Sequence, residues 1–117
     1  MKFNKVKFKQ WNCNVVIARY VNNNKAITLI DAEDGSPVAT ATVNLTYQDV
    51  SDGIASYDLY RKNKNLVHIK TWSENEGMYE ALLKAKVIKE HTKIIDVGPY
   101  GSKAYVCELN DESEDES

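Results

Sequence analysis

At 117 residues and 13.3 kDa, the chain is long enough to bury one hydrophobic core and too short for two ordinary domains. Its 43% hydrophobic and 27% charged residues exclude wholesale disorder and fibrous repeats, and its longest aliphatic run, Val15 to Ala18, falls far short of the roughly 20 apolar residues of a spanning helix. The formal charge of −2 conceals a split. Five of the 17 acids (Asp111, Glu112, Glu114, Asp115, Glu116) and none of the 15 basic residues lie between Asn110 and Ser117, so the body before them carries a formal +3.

Lys2, Lys5, Lys7 and Lys9 crowd the first nine residues. No apolar stretch follows them, so no secretory signal is expected as written, and a cytoplasmic protein is. Phe3 to Phe8 alternates lysine with apolar residues, the pattern of an edge strand whose charges discourage further pairing. Cys13 to Val21 is β-branched and aromatic and ends at Asn22-Asn23-Asn24, which suits a tight turn. Lys25 to Asp31 and Val38 to Leu45 are two further strands, joined by a loop in which Asp34-Gly35 supplies the left-handed position of a hairpin.

From Thr46 to Asn65 the rhythm breaks into an insert, a loop plus a hairpin arm with Arg61, Lys62 and Lys64 at its tip. Leu66 to Trp72 resumes as a strand, with Val67, Ile69 and Thr71 facing the core and His68 on the other, half-exposed face. Ser73 and Glu76 have the spacing of a capping box and predict a helix from Glu74 to about Lys86, its apolar face built on Met78, Leu82 and Ala85. Lys93 to Val97 and Lys103 to Leu109 close the chain around a turn at Gly98-Pro99-Tyr100-Gly101. The expected fold is α+β: a curled antiparallel sheet of six or seven strands with one amphipathic helix. It forms a single domain over residues 1–109, followed by a disordered acidic tail, 110–117.

Chemistry-bearing residues are sparse. Cys13 and Cys107 fall in strands, where a free cysteine behaves as a small hydrophobe, and they lack the spacing of a disulfide framework or zinc site. Neither a catalytic set, a metal site nor a cofactor site is expected. No phosphate-binding glycine motif occurs. Two features bear on polyanions: the N-terminal lysines, and the basic arm tip with Tyr57 and Tyr60 beside it, side chains suited to phosphates and bases. The lysines also have the plainer reading of guarding an edge strand. The tail mimics a run of phosphates or serves solubility.

Two segments, Ile30 to Leu45 (IDAEDGSPVATATVNL) and Trp72 to Met78 (WSENEGM), resemble a family of small proteins carried by phages, plasmids and conjugative elements of Firmicutes and Bacteroidetes. The similarity spans about residues 5–109; the insert and the acidic tail depart from it. It implies a β-meander, a variable insert, a helix and two closing strands. The family has no established enzymatic activity, and some relatives act as inhibitors of a CRISPR nuclease. The implied function is non-enzymatic binding, a counter-defence inhibitor occupying a surface or groove of a host defence complex. The alternatives are a sponge for a small nucleotide signal, with its pocket between helix and sheet, and an accessory factor for phage or plasmid replication. Tyr57, Tyr60, Arg61, Lys62 and Lys64 are the candidate partner-binding residues, because aromatic and basic side chains concentrate binding energy.

Overall fold

The computed structural model describes residues 3–20, 24–44, 65–97 and 101–110. Among these residues, seven strands and one α-helix follow in the order β1 (Val6–Phe8), β2 (Trp11–Arg19), β3 (Lys25–Asp31), β4 (Pro37–Thr40), β5 (Leu66–Lys70), α1 (Met78–Lys84), β6 (Lys93–Val97) and β7 (Ser102–Glu108). All ladders are antiparallel, in a four-stranded sheet β1-β2-β3-β4 and a three-stranded sheet β5-β7-β6. The class is α+β, as expected from the sequence.

The two sheets meet at residues 41–43. Ala41 donates its N–H to Ile27 of β3 at 2.8 Å and accepts from Lys70 of β5 at 2.8 Å, and Val43 donates to the His68 carbonyl at 3.1 Å. Thr42 bridges Ile69 directly. Its buried hydroxyl accepts from the Ile27 N–H at 3.2 Å and lies 3.0 Å from the Tyr20 hydroxyl. A short segment thus satisfies backbone groups on both sheets, and the strand order curls around a single core. Into that core β1 contributes Val6 and Phe8, β2 Cys13, β3 Ile27 and Leu29, β5 Val67 and Ile69, and β7 Cys107. The helix closes it with Met78, Tyr79 and Leu82, the i, i+4 stripe that its sequence spacing implied.

Turn chemistry sets the hairpins. Gly35 sits at φ 76 between β3 and β4, where its N–H donates to Asp31 at 2.8 Å, and Asp34 accepts from the Ser36 N–H and hydroxyl at 2.9 and 2.7 Å. The β1–β2 turn places Lys9 at φ 55. Lys9 Nζ is drawn to the Glu74 carbonyl at 2.9 Å and lies 5.2 Å from the centre of the Phe8 ring, so this lysine ties the hairpin to the segment before the helix.

The capping box does not form. Ser73–Asn75 is a 3-10 turn with Trp72 at its N-cap, and the α-helix begins later, at Met78, behind Gly77 at φ 87; neither start has a side-chain cap. Glu76 meets Ser73 only through the backbone, N–H to carbonyl at 3.2 Å. The reason is conformational: Ser73 lies at φ 56, whereas a capping side chain needs an extended Ncap backbone. Ser73→Ala is therefore expected to change stability by less than about 0.5 kcal/mol, and Ser73→Gly to be neutral or to stabilise by up to about 1 kcal/mol, because glycine adopts this conformation without a Cβ clash. Urea melts of the three proteins test this; a loss above about 1 kcal/mol for Ser73→Ala would restore the hydroxyl as a cap.

The C-terminal end of α1 is a Schellman motif with a lysine in the position glycine usually takes. Lys86, at φ 63, donates to Leu83 at 3.0 Å and Val87 donates to Leu82 at 3.0 Å, the paired bonds that satisfy the last helical carbonyls. The next two carbonyls are held by asparagines from opposite ends of the chain: Asn4 Nδ2 donates to Ala85 at 3.1 Å and Asn110 Nδ2 to Lys86 at 2.6 Å. Asn110 also donates its N–H to Val87 at 2.9 Å. Asn110 consequently belongs to the folded body and not to the tail.

His68 does not lie on an accessible sheet face. It is 2% exposed rather than half-exposed, because β5 is buried on both faces: Leu66, Val67, His68 and Ile69 are all inaccessible. Thr71, expected in the core, is partly exposed and donates its hydroxyl to the Lys103 carbonyl at 2.8 Å.

Candidate functional site: a lysine-lined groove between β1 and the helix

Among the described residues, strand β1 is an edge of its sheet, paired only with β2. Its alternation sends Val6 and Phe8 inward and leaves Lys5 and Lys7 exposed. The helix packs beside it and presents Ala81 and Ala85, one turn apart, together with Lys84. Between them runs a groove of about 290 Å³ lined by Asn4, Lys5, Lys7, Ala81, Lys84 and Ala85. The small alanines keep the helix wall low, and the three lysines line the groove with positive charge. No carboxylate is among these lining residues; Glu80, four positions before Lys84, is exposed on the same helix but outside the wall. A second hollow of about 600 Å³, lined by Phe3, Asn4, Lys5, Asn14, Val15 and Val16, shares Asn4 and Lys5 with the first. The two meet at Asn4 and Lys5, just ahead of β1.

None of Lys5, Lys7 and Lys84 is in an ion pair among the described residues. The ion pairs seen there lie elsewhere: Lys70 with Glu74 at 2.9 Å, Lys89 with Glu108 at 3.2 Å, and Lys103 with Asp96. Three like charges converging on one cleft raise the local potential and concentrate anions there.

The potentially reactive side chains are placed differently. Cys13 and Cys107 are free and buried. Burial pushes the Cys13 thiol up, with Asp31 adding to the shift, and pushes Cys107 up to about 12. Both are therefore protonated at neutral pH, the opposite of an activated nucleophile. Burial likewise holds His68 at about 3, neutral at any physiological pH. His91 is exposed and keeps company with aromatics: its N–H donates to the Tyr79 hydroxyl at 3.1 Å, its Nδ1 lies 3.0 Å from the same oxygen, and its ring meets Tyr105 edge-on at 4.9 Å. The Tyr79 and Tyr105 rings lie 4.7 Å apart. Tyr79 is otherwise a core residue, so this trio anchors the turn before β6 against the helix. Among the described residues no three His, Cys, Asp or Glu side chains converge as a metal site would require, and no helix is long and apolar enough to cross a membrane.

The partner-binding candidates Tyr57, Tyr60, Arg61, Lys62 and Lys64 lie outside the described residues, as do Lys2 and the acidic residues 111–117. Of the N-terminal lysines, the structure brings Lys5 and Lys7 together with Lys84 and assigns Lys9 to the hairpin contact. Lys84 escapes a reading of the sequence because a lysine in the last helical turn is already accounted for by the helix dipole; only the packing of α1 beside β1 reveals its second environment. Searches for similar proteins returned no matching family model, curated protein or solved structure.

Proposed function

We propose that this chain is a non-enzymatic binding protein of a mobile genetic element, a counter-defence inhibitor of the anti-CRISPR kind that acts by occupying a surface or groove of a host defence complex. The observation that carries the reading is the contrast between interior and surface. The thiols of Cys13 and Cys107 and the imidazole of His68 are sealed in the core in unreactive protonation states, while three lysines without ion pairs among the described residues open onto one groove. Such a surface suits a target with an anionic face, which a nucleic-acid-guided nuclease complex presents along its bound strands. The resemblance of residues 30–45 and 72–78 to mobile-element proteins supports the setting. The space between helix and sheet, where a nucleotide sponge would need its pocket, is filled by Met78 and Leu82, both fully buried.

The test is cleavage by a purified CRISPR nuclease complex from the same host, with the chain added at increasing molar ratio. Cleavage is expected to fall to background near stoichiometric addition. Tyr60→Ala/Arg61→Ala and Lys5→Glu/Lys7→Glu are expected to retain the wild-type melting temperature, and whichever pair touches the target is expected to lose inhibition at least tenfold. Undiminished cleavage at a large excess of wild-type chain, with no complex detected by size exclusion, would sink the inhibitor reading.

A further inference from the structure

Strand β2 is longer than the strand that covers it. β1 pairs with it only through Val6 with Cys13, Lys7 with Asn12 and Phe8 with Trp11, while β3 follows β2 from Cys13 to Arg19. Backbone groups alternate sides along an antiparallel strand. Asn12 accepts from Ala32 at 2.9 Å and Tyr20 donates to Asn24 at 2.8 Å, so the even positions point to the β3 side. The N–H and C=O groups of Val15 and Ile17 therefore point to the β1 side, where no strand follows among the described residues. Continued, the β1 register would set Lys5, Asn4 and Phe3 against Asn14, Val15 and Val16. These residues instead line the hollow of about 600 Å³, because the chain ahead of β1 diverges from β2 and leaves its edge open. That edge lacks the devices that guard the others. β1 carries Lys7, β4 starts with Pro37 and has a bulge in its ladder with β3, and β6 carries Lys93 and Asp96. Ile69 of β5 bridges Thr42. Lysines, prolines and bulges keep sheet edges from pairing; Val15-Val16-Ile17-Ala18 has none of them, and Val16 is 41% exposed.

We propose that the edge from Val15 to Arg19 is a self-association site, at which β2 of a second copy of this chain pairs antiparallel about a two-fold axis at Ile17. The segment is complementary to itself in this register. Ile17 exchanges both backbone hydrogen bonds with Ile17 of the second copy, since its N–H and C=O point outward. Val15 comes opposite Arg19, and exposed Val16 opposite exposed Ala18, an apolar cross-strand pair. No carboxylate lies in the segment. The two Arg19 positions are about 13 Å apart along the strands, beyond the Debye length of about 10 Å at 0.1 M salt. The ends match as well: β1 closes the edge at Cys13, and the chain turns back after Arg19. Tyr20 of the second copy falls opposite Asn14, at the hollow, which gives it room. The contact is isologous, so two copies complete it and no open edge is left to propagate. A ladder of this length lies at the small end of protein interfaces, so the dimer forms at high protein concentration. The inference uses neither the lysine groove nor the inhibitor reading and stands apart from both.

The experiment is sedimentation velocity of the full chain from about 10 μM to about 1 mM, with amide hydrogen exchange at both ends of the range. The wild type is expected to pass from monomer to dimer, and the Val15 and Ile17 amides to gain protection severalfold as it does. Val16→Lys/Ala18→Lys sets like charges directly opposite each other across the axis. It is expected to remain monomeric at the highest concentration and to keep the wild-type melting temperature, because both positions are exposed in the monomer. Val16→Glu/Ala18→Glu is expected to do the same. An equal mixture of the two variants is expected to dimerise at least as tightly as wild type at low salt, which a misfolded variant would not do. A wild type that stays monomeric throughout, a dimer that leaves the Ile17 amide unprotected, or charged variants that dimerise alone as well as wild type would each overturn the proposal. Charged variants that stay apart when mixed would overturn the axis at Ile17, since Val16 and Ala18 would then not face each other.

Discussion

Replacing Ile69 with alanine is expected to cost about 2–5 kcal/mol, the range for truncating a fully buried aliphatic residue to a methyl group. Ile69 is 0% exposed and sits where the architecture turns on itself. On one side it pairs with Tyr105 of β7 and on the other it bridges Thr42, in the segment that ties the two sheets together. It belongs to the same core cluster as Met78 and Leu82 of α1. The cavity left by the lost side chain would be walled by both sheets and the helix, so no single element can shift to fill it. Ile94 provides the internal control: also β-branched, also opposite Tyr105, but on the edge strand β6 and 42% exposed. Ile94→Ala is expected to cost under about 1 kcal/mol, since much of its surface is already in water. Urea denaturation at neutral pH measures both. Comparable losses at the two sites would mean that the 41–43 junction is not where the core is centred.

Lowering the pH from 7 to 5 is expected to remove about 2 kcal/mol of stability through His68 alone. Burial holds the folded-state pKa near 3, against 6.5 for a free imidazole. Between those values the unfolded chain takes up a proton that the folded chain refuses, so the stabilisation is complete above pH 6.5 and is lost progressively as pH falls toward 3. At pH 5 the imbalance is about 1.5 units at roughly 1.4 kcal/mol per unit. The window from pH 7 to 5 lies above most of the carboxylate range, so exposed acids such as Asp34 and Glu74, both held below their ordinary values by hydrogen bonds, contribute little there. His68→Gln keeps a polar side chain without a titrating ring; its stability difference from wild type is expected to shrink by about 2 kcal/mol between pH 7 and 5. Parallel pH profiles for the two proteins would show that the imidazole is not buried neutral.

These outcomes separate what residue order determined from what packing decided. Lys25–Asp31 and Lys93–Val97 are strands over the very residues their β-branched alternation marks out, and Gly35 takes the left-handed turn that its position after Asp34 implies. Local chemistry suffices for these because a strand with turn residues at both ends has few alternatives. The i, i+4 stripe of Met78 and Leu82 likewise identifies the buried helix face. It does not locate the helix start, since the Ser73 and Glu76 side chains fit a cap only if Ser73 is extended, and the path from β5 into the helix places it at φ 56 instead. Period-two alternation puts His68 on an accessible face because it assumes one wet side; β5 has none, and burial on the second face is a property of the assembled fold. The groove is the extreme case. Lys5 and Lys7 lie nearly 80 positions from Lys84, and each has an adequate local explanation, as an edge guard or as a partner of the helix dipole. Their convergence exists only because α1 packs against β1, and no pattern within a local window records a contact between segments so far apart.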